Sequence, residues 1–112
     1  MKISKEKFEE IVYQKFMKIP EKIREKIENL EIIVEGTPNL NLLGLYHGIP
    51  FQKRKSPLYS LVLPDRIVIF KESIEKNCKT EEELENLIEK VLLHEIGHYL
   101  GLNEKELRKL GL

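Results

Sequence analysis

The sequence predicts an α+β fold in which helices enclose a small sheet. Three observations carry this: apolar residues at helical spacing near the N-terminus, two β-branched runs in the middle, and a long capped helical stretch towards the C-terminus. At 112 residues the chain is predicted to be one domain, 1–112, with a single core.

Taken in order, Ser4-Lys5-Glu6-Lys7 reads as a capping box, and Phe8, Ile11, Val12, Lys15 and Phe16 trace one face of a helix over 5–17. Pro20 opens a second helix with Ile23, Ile27 and Leu30 at helical spacing. Residues 31–35 form a β-branched strand closed by Gly36, Thr37 and Pro38, and residues 65–71 form another. Residues 39–64 are irregular, with short apolar pieces at 42–46 and 58–63 that suit edge strands or turns. Thr80-Glu81-Glu82-Glu83 is a capping box whose acids suit the positive end of a helix over 81–100. On that helix Leu84, Leu87, Ile88 and Val91 share a face that continues through His94, Glu95 and His98. A second strip, Leu92, Leu93, Ile96 and Leu100, makes it the central helix, packed between two layers. Gly97 lies near that strip, where its missing side chain permits close approach of another element.

The residues of greatest chemical consequence are His94-Glu95-Ile96-Gly97-His98. A helix turns once in about 3.6 residues, so the two imidazoles lie one above the other and their nitrogens can converge on one tetrahedral Zn2+. Glu95 sits about 100° around from His94, where its carboxylate can reach a metal-activated water without ligating the metal, as a general base must. A third ligand has to come from elsewhere. Gly101 ends the helix cheaply and turns the chain back, and Glu104 then stands where motifs of the form H-E-x-x-H-x-x-G-x-x-H place their third ligand. Asn103 and Glu106 also fit a capping pair for a last helix over 104–110, and the two roles are compatible.

Composition narrows the partners. With 19 basic and 19 acidic residues the net charge is +0, so no global field favours nucleic acid or an anionic membrane. The basic cluster Lys53-Arg54-Lys55 reads as a solvated loop. Cys78 is the only cysteine, which rules out an internal disulfide and a cysteine-based zinc cluster and fits a reducing compartment. The N-terminus lacks the apolar core of a signal peptide, and no stretch reaches the roughly 18 apolar residues of a span, so a cytoplasmic location is expected. Nothing in the pattern specifies an oligomeric state.

Three tyrosines, Tyr46, Tyr59 and Tyr99, offer phenols to an oxyanion, although a core or rim aromatic is their ordinary use. A lone loop histidine such as His47 is ordinarily polar surface, and Cys78 is ordinarily a half-buried structural thiol.

On these residues the chain resembles the small bacterial zincin-like metallopeptidases, or minimal zincins. The resemblance covers 36–107, including Leu43-Gly44-Leu45-Tyr46, the loop ending in Leu63-Pro64-Asp65-Arg66-Ile67, and His94-Glu95-Ile96-Gly97-His98-Tyr99-Leu100-Gly101-Leu102. It implies a cut-down metzincin: a small twisted sheet packed against N-terminal helices and a central zinc-binding helix. The family motif is H-E-x-x-H-x-x-G-x-x-D, and here Glu104 replaces the usual Asp. Both methionines, Met1 and Met17, precede the motif, so the Met-turn of metzincins has no counterpart.

The expected function is a zinc metallopeptidase acting on a peptide or unfolded protein segment, which adds as a strand beside an exposed sheet edge. His94, His98 and Glu104 bind zinc, and Glu95 is the base. The alternative is a metal-stabilised binding or regulatory module with little turnover. Less favoured is RNA processing: the rRNA-maturation endoribonucleases have a three-histidine site of similar spacing, but typically carry Gly where this chain has Glu95 and His where it has Glu104.

Overall fold

The computed structural model describes residues 1–36, 41–48 and 64–109. Its elements run α1 (Lys5–Met17), α2 (Glu21–Arg24), β1 (Leu30–Glu35), β2 (Gly44–His47), β3 (Asp65–Phe70), α3 (Lys71–Lys76), α4 (Glu81–Tyr99) and α5 (Glu104–Lys109). Among the described residues three strands form one mixed sheet in the order β1-β3-β2, so the α+β class holds. β1 runs parallel to β3, with Leu30 opposite Asp65 and Glu35 opposite Phe70. β2 runs antiparallel on the other side, with Gly44 opposite Ile69 and His47 opposite Arg66. The central strand is the most buried, as its run Ile67-Val68-Ile69-Phe70 requires.

α4 is the hub, contacting β2 and β3 of the sheet and α1 and α3 of the helical layer. Leu84, Ile88, Val91, Leu92 and Ile96 are all buried on it and join Phe8, Ile11 and Val12 of α1, Ile67 and Ile69 of β3, and Ile74 of α3 in one core. Its N-terminus is capped as the sequence predicts at one contact: the Glu83 backbone N–H donates to Thr80 Oγ1 at 3.1 Å. The returning bond is displaced by one residue, because the Glu83 carboxylate accepts from the Lys79 N–H at 3.0 Å. At α1 only half a box forms. Ser4 Oγ accepts from the Lys7 N–H, but lysine at that third position has no acceptor to return.

Several boundaries differ from those predicted, the smallest being the end of α4 at Tyr99 in place of residue 100. Pro20 is the N-cap of α2 and precedes its first turn, and α2 ends at Arg24 without reaching Ile27 and Leu30. The chain has to redirect into the sheet there: Asn29 takes a left-handed φ of 50°, which a short polar side chain tolerates, and its carbonyl accepts from the Asp65 N–H at 3.0 Å. Leu30 therefore opens β1. The strand predicted over 65–71 stops at Phe70, and Lys71 opens α3. The sequence does not announce that helix, because Ile74 is the one large apolar residue in it and gives no periodicity. Its second anchor is polar: buried Glu75 accepts from the Ile3 N–H at 2.8 Å and from Lys71 Nζ at 2.9 Å. Within 42–46 the ambiguity resolves as a strand, β2, which is the outer one on that side of the sheet among the described residues. The piece at 58–63, Tyr59, the Lys53-Arg54-Lys55 cluster, Thr37, Pro38 and Leu110 lie outside the described residues.

Cys78 is buried at 4% exposure. Burial and the nearby Glu83 carboxylate push its thiol pKa up, against an opposing pull from the terminal amine, so this is an unreactive packing residue. Among the described residues no helix is long and apolar enough to cross a membrane.

Candidate metal centre

The helical spacing of His94 and His98 does what the geometry of a turn demands: their rings stand 4.9 Å apart at 80°, both half-buried near the C-terminal end of α4. The helix then ends in a glycine bend. Gly101 has φ 90°, its N–H donates to the His98 carbonyl at 2.9 Å, and the Leu102 N–H donates to the Gly97 carbonyl at 3.0 Å. This pair of bonds is the Schellman closure, and it turns the chain straight into α5. Asn103 caps that helix as predicted, its Oδ1 accepting from the Glu106 N–H at 2.8 Å while Glu106 Oε1 accepts from the Asn103 N–H at 3.1 Å.

Glu104, the first residue of α5, thereby faces back onto α4. Its Oε1 lies 3.3 Å from His94 Nε2 and 2.9 Å from His98 Nε2. Among the described residues these three are the group of His, Cys, Asp or Glu side chains able to share an ion, with ligand atoms all within 4.8 Å of one another. Bonds of about 2.0–2.1 Å in a tetrahedron put ligand atoms roughly 3.3 Å apart, and the two histidine–carboxylate separations, 3.3 and 2.9 Å, are close to that spacing. Capping and convergence coexist, as the two sequence signals allowed. Partial desolvation raises the pKa of the Glu104 carboxyl. The charge and hydrogen bonding of His94 and then His98 outweigh that and hold it below the ordinary carboxylate range.

Glu95 behaves differently from Glu104. It is buried at 9% exposure, and burial is the main reason its carboxyl is held above its ordinary pKa. The positive ends of His98 and His94 and a backbone N–H of Tyr46 oppose the rise, while Glu104 adds to it. The contact with Tyr46 comes from β2. Because the Phe70 N–H donates to the Leu43 carbonyl, alternation along the antiparallel ladder turns the main-chain groups of Leu45 and His47 towards β3 and those of Gly44 and Tyr46 away from it. Glu95 takes the Tyr46 N–H.

That contact needs β2 to lie close to α4, and Gly44 permits it. A Cβ at Gly44 would stand 2.6 Å from Val91 Cγ1 and 3.3 Å from both Glu95 Cγ and the Val68 carbonyl oxygen. Gly44→Ala is expected to push β2 off the helix and destabilise the fold by about 1–3 kcal/mol in chemical denaturation; an unchanged midpoint contradicts the close packing. Beside the strand, Leu43, Gly44, Leu87, Lys90, Val91, His94 and Glu95 line an open cleft of about 270 Å³.

The tyrosines have other work. Tyr99 is fully buried, and its hydroxyl accepts from the Glu28 N–H at 2.8 Å and donates to the Glu28 carbonyl at 2.5 Å, latching the turn before β1. The Tyr46 hydroxyl donates to Asp65, and its ring meets Tyr99 edge-on at 6.1 Å. Tyr99→Phe is expected to lose about 1–3 kcal/mol of stability, since both main-chain groups of Glu28 lose a partner, with metal affinity unaltered. A calorimetric melt beside a metal titration checks this. His47 is exposed at the end of β2 and stands apart from the three converging side chains. The features that sequence reasoning missed are the Tyr46 N–H and the Gly44 contact. A main-chain donor leaves no trace in residue type, but the glycine within an apolar strand was a signal of close approach.

A family model described as zincin-like metallopeptidase matches residues 19–112. The chain belongs to the zincin-like metallopeptidase family. The match reaches further than the resemblance over 36–107, taking in α2 and β1. A conserved hypothetical protein from Thermo thermophilus has a similar solved structure, with a TM-score of 0.60 and 22% identity over 88% of this chain and 94% of that one. At that identity the likeness concerns the fold of this zincin-like chain. No curated protein matches the sequence.

Proposed function

We propose that this zincin-like protein is a zinc-dependent peptidase that hydrolyses peptides or unfolded protein segments. The observation that carries the reading is the convergence of His94 Nε2, His98 Nε2 and Glu104 Oε1 next to a buried carboxylate that is no part of that group. His94, His98 and Glu104 would hold the ion. When bound, zinc supplies Lewis acidity and brings the pKa of a coordinated water to about 7.

Glu95 accepts the proton of the attacking water and afterwards delivers it to the leaving amine. Its raised pKa suits both halves of that task, because a base too weak to hold a proton cannot pass it on. The Tyr46 N–H holds one side of the carboxylate and fixes its aim. We infer that the substrate lies extended in the cleft beside β2, and main-chain recognition of this kind is indifferent to substrate sequence. Digestion of a broad peptide mixture by the zinc-loaded protein tests the proposal. Cleavage that stops on chelation and returns with zinc is expected; a chain carrying full zinc that cleaves nothing contradicts it.

A second reading, a metal-stabilised binding module, is favoured by one observation: the hydroxyls of Tyr46 and Tyr99 are both engaged with the fold and offer nothing to an oxyanion. Under that reading zinc raises the melting temperature and no peptide is turned over.

A further inference from the structure

We propose that Gly97 is a positioning residue for Glu104: its bare Cα is the seat on which Leu107 docks α5, and that contact sets the carboxylate against the two histidines. The inference rests on the metal-site reading above.

A Cβ built on Gly97 would stand 2.2 Å from Leu107 Cδ2 and 3.5 Å from Leu107 Cγ, with Leu102 Cδ1 at 3.9 Å. Leu107 is fully buried, and it is the one buried residue of the six in α5. Glu104, at the start of the same helix, is 61% exposed, and its polar contacts are with the two imidazoles. Solvent therefore does nothing to hold Glu104 in place; the placement of α5 does, and among the described residues of α5 Leu107 is the buried anchor. Gly97 also holds the connection between the helices, since its carbonyl receives the Leu102 N–H. One residue thus sets both the exit of the chain from α4 and the depth at which α5 lands.

An added methyl at Gly97 meets a leucine that cannot swing out into water, so the adjustment falls on α5. That helix is short and moves as a unit, and Glu104 lies about one turn from Leu107, so displacement of one carries the other. Ligand geometry tolerates only about 0.5 Å of such error. Alanine is the better helix former, so Gly97→Ala does not weaken α4 itself. The expected loss of metal is therefore specific to the seat.

Competition with a chromophoric chelator gives the zinc affinity of each full-length variant. Gly97→Ala is expected to weaken zinc about 10–100-fold, the usual penalty for disturbing a residue behind a ligand, with helical circular dichroism retained. In a Glu104→Ala background the same substitution should add little, because the ligand it positions is already gone. The volume-conserving pair Gly97→Ala with Leu107→Val should recover most of the affinity. Parent-like affinity in Gly97→Ala overturns the inference, as does an equal loss in the Glu104→Ala background, which would place the effect on His98 or the whole fold. Should Gly97→Ala not fold, Leu107→Ala carries the test without altering α4: weaker zinc is expected, and unchanged affinity overturns the seat. A parent chain that takes up no zinc removes the metal reading itself.

Discussion

Glu95→Gln is expected to keep a full complement of zinc and lose about 10²–10⁴-fold in peptide hydrolysis, the range for removal of a positioned general base. Its carboxylate lies outside the converging group, so the ligands are untouched. The amide oxygen still accepts the Tyr46 N–H, so the local packing is kept. The same substitution has a second consequence that a purely structural role for Glu95 does not share with catalysis. Burial raises the Glu95 pKa in the folded state, so the folded chain holds that proton more tightly than the unfolded chain does. The resulting stabilisation is complete below the ordinary carboxylate pKa and is lost as pH rises through the raised one. Above that raised pKa the metal-free parent carries an ionised, desolvated carboxylate, and there Glu95→Gln should melt higher than it. The melting difference should shrink on acidification. Full peptidase activity in Glu95→Gln contradicts the mechanism, and a lower melting temperature in the metal-free variant contradicts the account of its burial.

His98→Ala is expected to abolish tight zinc binding and, with it, both hydrolysis and the response of the fold to chelators. Two of the contacts that organise the site pass through this ring: Glu104 Oε1 at 2.9 Å and the edge-on approach to His94. An ion that binds only the folded chain stabilises it by about 2.7 kcal/mol at a hundred times its dissociation constant. Chelation should therefore lower the melting temperature of the parent clearly, whereas His98→Ala should melt at one temperature with or without chelator. Because the comparison is made within each variant, any packing defect left by the missing imidazole cancels. A chelator shift of parental size in His98→Ala contradicts the assignment.

How much of this was legible in the sequence follows from the range of the forces involved. The Thr80 cap, the run of apolar residues from Leu84 to Ile96, the Gly101 bend and the Asn103–Glu106 pair are all local signals, and α4, the Schellman turn and α5 stand where those residues put them. The convergence of His94, His98 and Glu104 was legible for the same reason: about ten residues of chain, bent once, determine it. What could not be read was long-range. α3 depends on buried Glu75 meeting the Ile3 N–H, a contact spanning 72 positions that no periodicity announces. α2 stops short because the chain must enter a parallel ladder with Asp65, a demand of the sheet and not of Arg24 or Ile27. The glycines at 44 and 97 were visible as residues, yet the Val91 and Leu107 methyls that explain them come from distant or folded-back chain.

Elemental analysis of metal bound per chain, after loading with zinc and removal of the excess, tests the central claim most directly. The account predicts one zinc per chain in the parent and in Glu95→Gln, and none retained by His94→Ala or His98→Ala. A parent chain that retains no zinc, or histidine variants that retain as much as the parent, would contradict it.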